Sequence, residues 1–258
     1  MKRTQVFLTS LLICFCMIAF GQTAKQTVKK VAAPAKKADN TLTAKEKKEG
    51  YVLLFDGKTM DKWHGYNKTG FPSKGWETTG GVLHCIGSGM GEAGSGGDIV
   101  TNDKYKDFEL SLDWKISEGG NSGIFILAQE KANQPIYYSS PEMQLLDNDR
   151  HPDSKLGKDG NRKAGSLYDL IPAKPQNTKP AGEWNSIRIT CYQGSVIYHQ
   201  NGADVVEYHL WTDEWKKMVA GSKFKDWADF TNVAHEGLIG LQDHGGDIWF
   251  KNIKIKKL

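Results

Sequence analysis

Phe108-Glu109-Leu110-Ser111-Leu112-Asp113-Trp114-Lys115-Ile116 decides the fold class of this chain. From Phe108 onward every second residue is apolar, and each residue between is polar or charged. That period of two describes a strand with one face in a core and the other in water. The same kind of run recurs on either side. Trp184 to Tyr192 and Ser195 to Gln200 flank Gln193-Gly194 as a hairpin, and Asn201-Gly202 opens another turn. Asp247 to Ile255 reads as a last strand, with Gly123 to Gln129 and Tyr51 to Phe55 as further ones. Helical spacing is confined to Trp211 to about Phe230, where Trp211, Trp215 and Met218 fall at i, i+4 and i+7 and Gly221 breaks the run. No βαβ rhythm and no long internal repeat is present. The expectation is an all-β, two-sheet jelly-roll sandwich with one short helical segment near 211–230.

The domain is preceded by sequence of a different kind. Met1-Lys2-Arg3 and the apolar run Val6 to Phe20 have the form of a secretory signal, with a small-residue cleavage point near Gly21-Gln22. The run is shorter than the ~20 residues of a spanning helix. A lipoprotein cysteine at Cys14 or Cys16 is disfavoured, because neither follows a small residue. The expected organisation is a signal peptide at 1–21, a Lys/Ala-rich flexible linker at 22–49 and a β-domain at 50–258. That predicts a secreted or periplasmic protein with no membrane span after cleavage.

The formal charge of +4 belongs to the leader. Residues 50–258 carry 24 basic and 27 acidic side chains, a net of −3. Nucleic-acid binding therefore loses its main support. Cys85 and Cys191 remain in the domain; a disulfide and two buried thiols are both open. The glycine cluster from Gly87 to Gly97 lacks GKS/T, and the strand-like Asp98-Ile99-Val100 follows it where a phosphate-binding helix should start. A loop bordering a groove is expected there.

The segment Ser140 to Asp153 carries the chemistry. Strand alternation puts Glu142 and Gln144 on one face and Met143 and Leu145 on the other. Asp147, Asp149, His151 and Asp153 then crowd the following loop. Such polar density is costly in a core and useful where hydroxyls are gripped or protons moved.

Six ordered stretches resemble one family. They are Leu54 to Trp63, Asn121 to Phe125, Glu142 to Asp153, Gly165 to Ile171, Lys179 to Asn185 and Gly237 to Gly245. Together they look like the 3-keto-disaccharide hydrolase domain, whose members also carry the label of candidate glycosyl hydrolase. The resemblance implies a concanavalin-like sandwich, export from a bacterium, and action on glycosides already oxidised at C3. It further implies a sugar 3-oxidoreductase upstream as functional partner.

A 3-keto group acidifies the hydrogen on C2, so a base can remove it and the C1 aglycone can leave by β-elimination, with water adding afterwards. Such a site needs a base, a group for the enolate oxygen and a proton donor for the leaving group. The expected acid–base pair is Glu142 and His244. Expected substrate contacts are Gln144, Gln242, Tyr168, Asp169 and Lys163, with Arg162 as a further cation. His244 shares a face with Gln242 if that strand continues. Asp147, Asp149, His151 and Asp153 could ligate a divalent cation that polarises the ketone. Two other functions compete: a two-carboxylate glycosidase pairing Glu142 with Asp147 or Asp169, and a non-catalytic carbohydrate-binding sandwich.

Overall fold

The computed structural model describes residues 38–91 and 94–258; the expected signal peptide and residues 22–37 of the expected linker lie outside the described residues. A short helix α1 (Ala44–Lys48) comes first, then strands β1 (Val52–Leu53), β2 (Trp63–Gly65), β3 (Trp76–Thr79), β4 (Val82–Cys85) and β5 (Ile99–Thr101). The long strands β6 (Phe108–Ile116) and β7 (Asn121–Ala128) follow, then β8 (Glu142–Leu146), β9 (Asn185–Tyr192), β10 (Ser195–Gln200) and β11 (Ala203–His209). Helices α2 (Asp213–Ala220) and α3 (Ala228–Thr231) precede β12 (Leu238–Leu241) and β13 (Ile248–Lys257).

The strands form two antiparallel sheets, as expected for the sandwich. One runs β11-β10-β9-β6-β13-β4-β3, with β1 also against β13, and the other runs β2-β5-β12-β7-β8. In β6 the alternation holds residue by residue, with Phe108, Leu110, Leu112, Trp114 and Ile116 buried. They meet Ile124 and Ile126 of β7 and Met143 and Leu145 of β8 in the core between the sheets. Each such burial contributes ~1.5–3 kcal/mol over exposure. The hairpins fall at Gln193-Gly194 and Asn201-Gly202, all four residues at positive φ.

The five-stranded sheet is covered on both faces. Val100, Phe125, Ala128, Ile136 and Leu238 form a second apolar cluster on the side facing away from the main core. That is why β7 reads as a continuous buried run. Glu142 pairs with Phe125 across the strands, so Glu142 and Gln144 share this outer face.

One expectation is corrected here, and two open points are settled. Residues 38–49 are tied to the domain: Asn40 and Asn252 exchange backbone-to-side-chain hydrogen bonds at 2.7 and 2.8 Å, and Thr43 and Glu46 form a capping box on α1. The lysine-rich composition hid those polar anchors. The helical segment near 211–230 breaks at Gly221 as expected: α2 stops there and the chain turns through 221–227 before α3. Of the two alternatives open for Cys85 and Cys191, the structure has the buried thiols, and burial pushes Cys191 up to about 12.

Candidate active site

The outer face of the five-stranded sheet carries a cavity of about 230 Å³. Its floor is polar: Asn121 from β7, Ser140, Glu142 and Gln144 from β8 and the turn before it, and Gln242 and His244 from the turn after β12. Its walls are Tyr137, Tyr138, Tyr168, Phe224, Trp227 and Phe230, with Lys223 among them. Glu142 is the one carboxylate among the described lining residues.

Glu142 is 8 % exposed, so the rest of the strand must hold it. β8 lies at the sheet edge, and the stretch 165–168 docks along its open side. Gln144 N donates to Ser166 O (3.0 Å), Gly165 N to Gln144 O (2.8 Å) and Tyr168 N to Glu142 O (3.0 Å). This covers the edge and delivers Tyr168 to the cavity. With its amide oriented to satisfy its neighbours, Gln144 donates to Glu142 Oε1 at 3.2 Å and to Ser122 O at 3.1 Å. Asn121 Oδ1 and Gln242 Oε1 are buried without a partner among the described residues, leaving two acceptors for a ligand's hydroxyls.

β12 ends at Leu241, so a continuing strand does not place His244. Asp243 does. It is fully buried, and its carboxylate accepts from Gly96 N (3.0 Å), Gly97 N (3.1 Å) and Gly245 N (3.1 Å). A Cβ on Gly94 would collide with that carboxylate. The glycine loop therefore cradles an anion, and the anion is the chain's own aspartate. His244 is half-buried beside the cavity, its ring edge-to-face with His151 at 6.4 Å. Burial lowers the His151 pKa from 6.5, and the neighbouring His244 acts in the same direction against Asp153.

Beside this floor, Arg162 joins Asp153 (2.9 Å) and Asp169, while Tyr168 Oη donates to Asp153 (2.8 Å). Burial raises the Tyr168 pKa, with the Asp153 hydrogen bond second. Lys223 Nζ lies 4.2 Å from the Tyr168 ring centroid and 5.1 Å from that of Phe224. The residue as a whole is exposed, yet loss of water around the ammonium lowers its pKa below 10.5.

Comparison with known proteins places this arrangement. A family model described as the 3-keto-alpha-glucoside-1,2-lyase-like domain matches residues 50–256. The chain belongs to that family. A 3-keto-disaccharide hydrolase of Bacteroides thetaiotaomicron is 51 % identical over 230 residues, spanning 81 % of this chain and 79 % of the relative. A crystal structure of a candidate glycosyl hydrolase from Parabacteroides distasonis superposes with a TM-score of 0.76 at 32 % identity, covering 86 % of this chain and all of that one. A second such protein from that organism gives 0.64 at 29 % identity, over 81 % and 99 %.

Within this 3-keto-alpha-glucoside-1,2-lyase-like domain, the predicted residues divide. Glu142, Gln144, Gln242, His244 and Tyr168 come together in the cavity. Lys163 does not: it borders a separate depression with Lys155 and Lys174. Asp169 is bound to Arg162 and lies outside the lining. The expected metal set also separates. Asp147 accepts from Gly119 N and Asp149 N, Asp149 is exposed, His151 Nδ1 accepts from Asp153 N, and Asp153 holds Arg162 and Tyr168. Each carboxylate that is not exposed is consumed by a nearer partner, and no three His, Cys, Asp or Glu among the described residues are grouped to hold an ion.

Sequence reasoning passed over Asn121, Tyr138, Lys223 and Trp227. Asn121 begins one of the family-like stretches and could have been found there. Lys223 and Trp227 reach the cavity only through the turn between α2 and α3, where Trp227 stacks on Tyr138 at 4.2 Å. Nothing in their local spacing marks them.

Proposed function

We propose that this domain is a carbohydrate-cleaving enzyme that acts on glycosides oxidised at C3, removing the C2 proton and expelling the C1 aglycone. The observation that carries the reading is the lining: one carboxylate, Glu142, with His244 and Lys223 in the same cavity. A two-carboxylate glycosidase needs a second acid roughly 5–9 Å across the cleft, and Asp147 and Asp169 both lie outside the lining. A simple binding module has no need of a buried carboxylate in one cavity with an imidazole and an ammonium.

In this reading Glu142 takes the C2 proton, held for the task by Gln144. His244 gives a proton to the departing aglycone oxygen. Asn121 and Gln242 accept from sugar hydroxyls, and the aromatic walls exclude water and pack on the apolar faces of the substrate. Lys223, the one lysine or arginine among the described lining residues, supplies the positive charge for the ketone oxygen. Water added to the unsaturated product makes the overall reaction a hydrolysis; released without it, the product is that of a lyase. The substrate has to be supplied by an oxidation at C3 of the sugar, hence the proposed oxidoreductase partner, and the leader sequence supports a secreted or periplasmic setting.

The test offers the purified protein a 3-keto-glucoside and its unoxidised parent and follows aglycone release. Release from the keto compound alone supports the reading; release from the parent alone refutes it.

A further inference from the structure

We infer that Lys223 is a covalent catalyst: its amine condenses with the C3 ketone, and the resulting iminium ion acts as the electron sink for elimination. This rests on the keto-glycoside reading above and goes beyond it, since that reading needs only a charge near the ketone.

Of the three carboxylates whose charge reaches Lys223, namely Asp169, Glu142 and Asp153, two are already used: Asp153 by Arg162 and Tyr168, and Asp169 by Arg162. Among the described residues Lys223 has neither a salt bridge nor a hydrogen bond from its ammonium; its contacts are the faces of Tyr168 and Phe224. Arg162 stands 5.6 Å from the same Tyr168 ring, and its positive charge joins the loss of solvation in disfavouring the ammonium, against the pull of Asp169, Glu142 and Asp153. A lysine without an ion pair among the described residues, its ammonium against two aromatic rings and beside another cation, is the arrangement that frees an amine for Schiff-base chemistry. The lowered pKa agrees with that placement. A lysine serving only as a counter-charge gains nothing from losing its solvation.

The step balances without any outside oxidant or reductant. The neutral Nζ adds to C3, the carbonyl oxygen takes up a proton, and loss of water leaves a C3=N⁺ bond. Glu142 removes the C2 proton, and the C–H pair becomes the C2=C3 bond of an enamine. That pair then expels the C1–O bond, with a proton from His244 completing the aglycone alcohol. Water hydrolyses the conjugated iminium that remains, returning the lysine and a C3 ketone.

The test incubates the whole protein with a 3-keto-glucoside and sodium cyanoborohydride, which reduces iminium ions in preference to ketones, and maps the product by peptide mass. Turnover is followed in parallel without the hydride. The expected result is substrate-dependent inactivation with a reduced sugar adduct on the Lys223 peptide. Lys223→Arg, checked for an unchanged melting temperature, should form no adduct and lose about 100-fold in kcat, although its charge is kept. Turnover by the wild type with no adduct on Lys223, or Lys223→Arg within about tenfold of wild type, overturns the covalent role and leaves the keto-glycoside reading standing. Absence of turnover on the keto substrate overturns both.

Discussion

Gly123 lies directly under the carboxylate of Glu142. A Cβ at Gly123 would collide with Glu142 Oε1 and sit 2.8 Å from its Cγ. The register of β7 against β8 sets this contact, pairing Gly123 with Gln144 and Phe125 with Glu142. The glycine leaves the space in which the carboxylate rests. Gly123→Ala should therefore push Glu142 off its position while the backbone pairing survives. We expect kcat to fall by about 100-fold, the scale of a misplaced general base, with little change in melting temperature. Near wild-type turnover in the folded variant would show that Glu142 works from elsewhere.

Asp243 is the anchor of the turn that carries His244. Asp243→Asn retains the shape but sets an amide donor against either the Gly245 N–H, which Oδ1 accepts, or those of Gly96 and Gly97, which Oδ2 accepts. Leaving such buried donors unmet costs about 1–3 kcal/mol. A chemical denaturation midpoint should drop accordingly, and kcat should fall with it because His244 loses its footing. A variant as stable and as active as wild type would remove Asp243 from the account.

The pH dependence of stability should show His151. Its folded pKa lies below 6.5, burial being the main cause, so the unfolded chain binds more protons than the folded one as pH drops through 6.5. Stability is full above that value and declines as pH falls toward the folded pKa, below which this contribution is flat. In urea melts across that window, His151→Gln should flatten part of the slope while keeping a cap for the Asp153 amide, which His151 Nδ1 accepts at 3.2 Å. An identical slope in wild type and variant would contradict the assignment.

The sandwich was legible because its strands obey local rules. β6 alternates without exception, and Gln193-Gly194 and Asn201-Gly202 are turn pairs whatever surrounds them. Glu142 and Gln144 were legible for the same reason, since two positions apart on a strand means one face. What failed were inferences from density along the chain. Asp147, Asp149, His151 and Asp153 are close in sequence, but a 3-10 turn at Pro152–Lys155 and the reach of Arg162 send their side chains to different partners. Lys163, the lysine expected from the sequence, borders a different depression. Lys223 arrives from a turn folded over the cavity by aromatic packing, a long-range relationship with no local signature. The tie between Asn40 and Asn252 spans nearly the whole domain and was hidden for the same reason.

The claim that cleavage begins with removal of the C2 proton is tested most directly by a deuterium substitution. Single-turnover aglycone release would be compared for a 3-keto-glucoside carrying protium or deuterium at C2. The account predicts several-fold slower release from the deuterated sugar, and loss of that release in Glu142→Gln. Equal rates for the two isotopologues, with the unoxidised glucoside cleaved as readily, would contradict it.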